Sequence, residues 1–313
     1  MSGRPRLVPP TPERTPDRPG PGPVPPQVLR SLDLAVMKRI ESLVPGEHLT
    51  PQTGSGTELA MIRPYHPGDD VRHIDWMATA RLQEPHVRVH VGERALTTWL
   101  VLDVSASMQF GTADRRKADV AGGAALALGH LATRQGNRLG ILPFGGHERL
   151  PMKPRQGRQG LLNLQLALRA EPSRDGGGPT DLGEGLSRVA NLARQRGLVV
   201  VVSDFRGRFD WRQQLVRLLN RHHVMAIEVR DPREQELPAV GDLWLVDPET
   251  GRQLRVDTNS PRLRKRFAAR AAEERNHLAA ELRRAGAEHI VLTTAGDWLR
   301  ELARHLNRRR RRR

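Results

Sequence analysis

No cysteine occurs among the 313 residues. That excludes a disulfide framework and any thiolate metal site, and it fits a reducing compartment. No run of roughly eighteen or more apolar residues is present either, so no transmembrane helix is expected. The opening residues, MSGRPRLVPP, lack the apolar core of a secretory signal. The expected location is therefore cytoplasmic. Hydrophobic residues make up only 37%, too few for a chain folded throughout, so part of it is expected to be disordered. Lysine is scarce: 4 of the 51 basic residues are Lys and the rest are Arg. The formal net charge of +16 invites a nucleic-acid or membrane reading. The Arg skew, however, points to an Arg-biased genome, and Arg308 to Arg313 supply six of the charges by themselves. Such a tail binds polyanions weakly and loses them with salt.

What is present divides into four stretches. Residues 1–27 are rich in Pro, Arg and Gly and are expected to form a disordered arm. Residues 28–95 are expected to hold a helix over 28–43, with Leu29, Leu32, Val36, Ile40 and Leu43 at helical spacing, and then a small β-rich segment. Residues 96–306 read as an α/β domain, and 307–313 as a basic tail. Within 96–306, strands at 99–102, 139–144, 198–202, 224–229 and 290–292 alternate with helices at about 115–135, 157–169, 182–196, 211–221, 261–285 and 297–306. A β-hairpin insertion is expected near 240–257. This alternation implies a doubly wound, mostly parallel sheet, Rossmann-like in architecture.

The residues that carry chemistry fall where strands end. The first apolar strand delivers Asp103-Val104-Ser105-Ala106-Ser107, whose spacing lets one tight loop aim a carboxylate and two hydroxyls at a point. The most hydrophobic strand delivers Asp204. The glycine-rich loop from Gly176 to Pro179 delivers Thr180 before a helix. In an open parallel sheet, ligands bind beyond the carboxyl ends of the strands, where the strand order reverses. Two carboxylates and three hydroxyls, all oxygen, suit a hard cation: Mg²⁺ first, with Mn²⁺ and Ca²⁺ as alternatives. Neutral hydroxyls leave one coordination position for an outside acidic group. The competing reading has Ser105 and Ser107 merely capping the following helix and Asp204 starting a turn.

The Asp-x-Ser-x-Ser, Thr and Asp set resembles the metal-ion-dependent adhesion site of von Willebrand factor A domains. That resemblance implies Ser105, Ser107 and Thr180 as direct ligands, with Asp103 and Asp204 binding directly or through water. A second resemblance rests on Arg63-Pro64-Tyr65-His66-Pro67-Gly68-Asp69-Asp70-Val71-Arg72-His73-Ile74-Asp75-Trp76, on Gly54-Ser55-Gly56-Thr57-Glu58 and Ala80-Arg81, on Ser203-Asp204-Phe205, and on Asp231-Pro232-Arg233-Glu234-Gln235-Glu236-Leu237-Pro238. Together these resemble the bacterial domain-of-unknown-function family fifty-eight, whose members carry an A-like domain. The likeness spans about 28–306 and implies a partnership with MoxR-type AAA+ ATPases.

In the 63–76 segment, Pro67-Gly68 suits the centre of a type II turn. Arg72 or Arg81 is expected to pair with Asp69, Asp70 or Asp75 under the cover of Trp76, either fixing the segment in place or forming a docking surface. His222-His223 is expected to end a helix. The Gly176-Gly177-Gly178 run lacks the Lys-Ser/Thr of a phosphate loop. For a metal-assisted hydrolase, His147 and Asp181 are the best general-base candidates, and both are poor. The expectation is therefore a non-enzymatic adaptor holding an acidic group of a partner, with a hydrolase and polyanion binding through the Arg-rich ends as the alternatives.

Overall fold

The computed structural model describes residues 58–91, 96–134, 136–145, 150–169, 181–207, 209–247 and 252–308, with Gly20 and Gly22. The expected helix at 28–43, most of the Pro/Arg arm, the Gly176–Thr180 loop and the last five residues lie outside the described residues. Two compact units emerge, one within residues 39–96 and one from Thr97 onward.

In the smaller unit, β1 (Glu58–Pro64) pairs antiparallel with β2 (His86–Val91). The intervening chain turns at His66–Asp69, where the Asp69 N–H donates to the His66 carbonyl at 3.0 Å. Gly68 sits there at φ +109°, a backbone state that a side chain disfavours. A short helix, α1 (Trp76–Leu82), follows. It is capped by Asp75, which accepts from the N–H groups of Met77 at 3.0 Å and Ala78 at 3.1 Å.

The ion pairs differ from expectation. Arg63, not Arg72, grips Asp69 with two bonds of 2.7 Å. Arg88, not Arg81, holds Asp75 at 2.8 Å. The reason is placement. Arg63 and Arg88 stand on paired strands, whereas Arg72 lies in the 3₁₀ helix Val71–His73 and donates its backbone N–H to Asp70 at 2.9 Å. Trp76 does not cover this network, being 72% exposed. The Arg63 hydrogen bond, with help from the His66 N–H, lowers Asp69 to about 2.

The larger unit runs β3 (Thr97–Asp103), α2 (Lys117–Ala132), β4 (Arg138–Phe144), β5 (Met152–Gln156), α3 (Gly157–Arg169), α4 (Leu182–Leu192), β6 (Gly197–Ser203), α5 (Arg212–Leu219), β7 (His223–Arg230), β8 (Asp242–Val246), β9 (Gln253–Asp257), α6 (Pro261–Ala285), β10 (Glu288–Thr293) and α7 (Trp298–Arg308). Six strands form one sheet in the order β10-β7-β6-β3-β4-β5. All neighbours are parallel except β4 and β5. The expected hairpin is present as the antiparallel pair β8–β9.

Local signals explain the boundaries. Ser260 caps α6 and accepts from the Leu263 N–H at 3.4 Å, Pro261 opens it, and Gly286 closes it at φ +87°. The core strands are apolar on both faces because helices cover both. Trp99, Val101, Val199 and Val201 pack with Leu182, Leu186, Leu215 and Leu278 on one side. Leu100 and Leu139 face α2, beneath Gly129. Val199 to Val202 are at most 1% exposed, and each contributes about 1.5–3 kcal/mol relative to exposure.

From β3 the chain moves outward through β4 and β5. It then returns to β6, on the other side of β3, and moves the opposite way through β7 to β10. The order therefore reverses between β3 and β6, and their carboxyl ends flank a crevice.

Candidate functional site

Asp103 ends β3 and Ser203 ends β6, side by side. One Asp103 oxygen accepts from the Ser105 N–H at 3.0 Å, and the other accepts from the Ser203 hydroxyl at 2.6 Å. Ser203 Oγ also accepts from the Phe205 N–H at 2.9 Å. Phe205 holds φ +54°, so the chain turns sharply just after Asp204. Ser105 stands at the N-cap of the 3₁₀ turn Ala106–Gln109, yet its side chain makes no capping bond. Its Oγ lies 3.0 Å from Ser107 Oγ instead. The capping explanation for Ser105 is thereby removed. Asp103, Ser105, Ser107 and Asp204 are all buried.

Asp204 does more than start a turn. One of its oxygens accepts from the Arg206 N–H at 3.0 Å, and the other accepts from Lys117 Nζ at 2.7 Å. Lys117 is the first residue of α2 and is completely buried. Its ammonium donates a second bond, of 2.6 Å, to Glu234, and lies 5.9 Å from the centre of the Phe110 ring. A helix N-terminus disfavours a cation, so these two carboxylates must outweigh both the dipole and the burial.

Glu234 is held in place by the 231–238 stretch. Its carboxylate accepts from the Asp231 N–H at 3.2 Å within a capping box. The Asp231 carboxylate is itself fully buried. It accepts from the Thr112 N–H (2.9 Å), the Thr112 hydroxyl (2.6 Å), the Thr294 hydroxyl (2.7 Å) and the Arg233 N–H (2.8 Å). The sequence motif therefore builds a platform that presents Glu234 to Lys117.

The charges follow from this packing. Burial, and then the negative charge of Asp204, pushes Asp103 up to about 7 against the hydrogen bonds from Ser105 and Ser203. Burial also pushes Asp204 upward, but the Lys117 charge and hydrogen bond win, leaving Asp204 below the usual carboxylate range. Burial opposes charge on Lys117, but Asp204 and Glu234 outweigh it and hold the ammonium above the usual lysine range.

The structure links Asp103, Ser105 and Ser107 by hydrogen bonds and sets Asp204 near enough for its charge to act on Asp103. Thr180 lies outside the described residues, as does His147. Asp181 is spent on capping α4, accepting from the Glu184 N–H at 2.8 Å. His222 is buried beyond the end of α5 and is pushed down by that burial and by Arg221, against the expectation of a stabilised cation. His223 belongs to β7 and faces Glu288 at 3.2 Å.

An octahedral shell with Mg–O distances of roughly 2.0–2.1 Å places adjacent oxygens about 2.9 Å apart. The Ser105–Ser107 separation of 3.0 Å fits that edge. Each Asp103 oxygen accepts one bond and keeps a further lone pair. Among the described residues no group of three or more His, Cys, Asp or Glu converges on a point, so the donors here are hydroxyls as much as carboxylates. A cavity of about 280 Å³ opens beside Asp103, lined in part by Met108, Gln109, Gly122, Leu168 and Arg169.

Lys117 and Glu234 are the site residues that motif reasoning misses. Two signals were available: lysine is scarce, with only 4 among 51 basic residues, and Glu234 stands inside the 231–238 motif.

The family model described as "Protein of unknown function DUF58" matches residues 61–277. The chain belongs to this family. Among its relatives, the uncharacterized proteins Rv1480 of Mycobacterium tuberculosis and Mb1516 of Mycobacterium bovis are each 41% identical over 285 residues, covering 90% of this chain and 89% of theirs. An uncharacterized protein from the moxR 3′ region of Paracoccus denitrificans is 37% identical over 100 residues, covering 32% of this chain and 90% of its own. Among solved structures, the conserved hypothetical protein BatB from Bacteroides thetaiotaomicron aligns at 11% identity and a TM-score of 0.44, covering 69% of this chain and 100% of that one. A von Willebrand factor type A protein from Catenulispora acidiphila aligns at 12% identity and a TM-score of 0.37, covering 68% and 43%. No helix among the described residues is long and apolar enough to cross a membrane.

Proposed function

We propose that this DUF58 member is a non-enzymatic, cytoplasmic binding protein whose larger unit is a doubly wound, von Willebrand factor A-like domain. Its loops after β3 and β6, completed by Thr180, hold Mg²⁺ and through it an acidic group of a protein partner. The observation that supports this reading is the hydrogen-bonded set Asp103, Ser105 and Ser107 at the strand-order reversal, with two serine hydroxyls 3.0 Å apart and Asp204 following the neighbouring strand. Ser105 and Ser107 would supply neutral oxygens and Asp103 a carboxylate, whose charge a bound cation would favour against the burial that raises it. Bound Mg²⁺ would supply a Lewis-acidic position for a carboxylate.

The proposed partner is a MoxR-type AAA+ ATPase or its client. Support comes from the Paracoccus denitrificans relative, whose name places it in the moxR 3′ region. The test is capture of the ATPase by the tagged full chain with Mg²⁺ and with EDTA. Capture should require Mg²⁺ and should be lost in Ser107→Ala. Equal recovery in EDTA would falsify the metal bridge.

A further inference from the structure

Resting on that reading of the site, we infer that Lys117 is a tethered competitor for the cation. Its ammonium occupies the Asp204 carboxylate, so the site holds Mg²⁺ weakly alone and more tightly once the partner's acidic group joins.

The geometry that supports this is specific. Asp204 has one oxygen on the Arg206 N–H and the other on Lys117, so an incoming cation meets a carboxylate already neutralised. Lys117 has no exposure to water. An ammonium has three donors and no acceptor, and it can leave one carboxylate only if another keeps it. Glu234 is that second anion, at 2.6 Å, fixed by the Asp231 platform. Lys117 can therefore turn toward Glu234 and release Asp204 without ever being buried unpaired. Lysine suits this role where arginine would not: it is a compact charge on a flexible stem, not a rigid planar fork. Nearly every other basic position in the chain is Arg.

The decisive variant is Lys117→Met with Glu234→Gln. It removes one positive and one negative charge, so the formal charge of the cluster is unchanged; besides the hold on Asp204 it loses only the long Arg206–Glu234 pair, at 3.7 Å and half-exposed on the arginine side. Mg²⁺ is titrated by calorimetry into the full chain, wild type and double variant, with folding checked by circular dichroism. The double variant should bind Mg²⁺ roughly ten- to a hundredfold more tightly, the equilibrium equivalent of one charge-assisted hydrogen bond. Glu234→Gln alone, which leaves Lys117 with Asp204 only, should bind more weakly than wild type. Equal or weaker binding by the double variant overturns the competitor role and leaves the metal site standing. Unchanged or tighter binding by Glu234→Gln also overturns the role. Failure of all three proteins to bind Mg²⁺ overturns both the competitor role and the metal site.

Discussion

Removing Lys117 alone tests how the buried charges under the site are balanced, with no metal involved. The Lys117, Asp204 and Glu234 side chains are 0%, 4% and 9% exposed, so water cannot screen them. Lys117→Met keeps most of the side-chain volume, and the change is therefore mainly one of charge. It leaves two carboxylates buried together with only the half-exposed Arg206 guanidinium, 3.7 Å from Glu234, as a cation. Breaking a buried pair in this way costs about 3–5 kcal/mol, a large share of the roughly 5–15 kcal/mol that stabilises a typical domain. Adding Glu234→Gln takes away one of the stranded charges, so the double variant should be more stable than Lys117→Met alone. The coupling between the two sites is expected to be about 1–3 kcal/mol. Urea unfolding in EDTA, followed by tryptophan fluorescence, reads this directly because Trp99 and Trp211 are buried in the core. A loss below about 1 kcal/mol for Lys117→Met, or a double variant whose loss equals the sum of the singles, would refute the buried-triad picture.

Four further outcomes are expected. Asp231 is held below the usual carboxylate range because its hydrogen bonds from Thr112, Thr294 and Arg233 outweigh the burial that would raise it. Its stabilisation is therefore full above the unfolded value near 3.9 and is lost as pH falls through the folded value. Asp231→Asn should be destabilised at pH 7, with the gap from wild type closing in acid unfolding curves; a gap independent of pH contradicts this. Gly129→Ala should lower the melting temperature despite alanine's better helix propensity, because the new Cβ falls 2.6 Å from Leu164 Cδ2, an overpacking worth about 1–3 kcal/mol. Gly122→Ala, whose Cβ meets only Leu168 at 3.6 Å, should raise it by the equivalent of about 0.5–1 kcal/mol. Deleting residues 1–27 and 308–313 should abolish residual binding to nucleic acid at low salt, and survival of that binding would implicate the folded units.

Much of the larger unit is legible in the sequence because its signals are local. The valine run of β6 and the Ser260-Pro261 start and Gly286 stop of α6 each mark an element without tertiary help. β5 is not legible in this way. Met152–Gln156 shows no apolar alternation and carries Pro154, which only an edge position tolerates. Its strand character comes from antiparallel pairing with the preceding strand, β4, which its composition does not reveal. α1 is too short, at 7 residues, to display a helical period. At the site, the Asp-x-Ser-x-Ser spacing puts Asp103 and the two serines on one loop, and Asp204 follows the neighbouring strand. Lys117 and Glu234 join the site only through contacts spanning 87 and 117 residues, which no spacing rule reports. The same holds for the small unit, where strand pairing, not turn proximity, selects Arg63 and Arg88 as the partners of the aspartates.

The most direct measurement is a calorimetric Mg²⁺ titration of the wild-type chain beside Asp103→Ala and Ser107→Ala. The proposed site predicts one Mg²⁺ per wild-type chain and loss of that binding in both variants while each remains folded. A folded wild type that takes up no Mg²⁺ at millimolar concentration, alone or with the partner ATPase present, would contradict it.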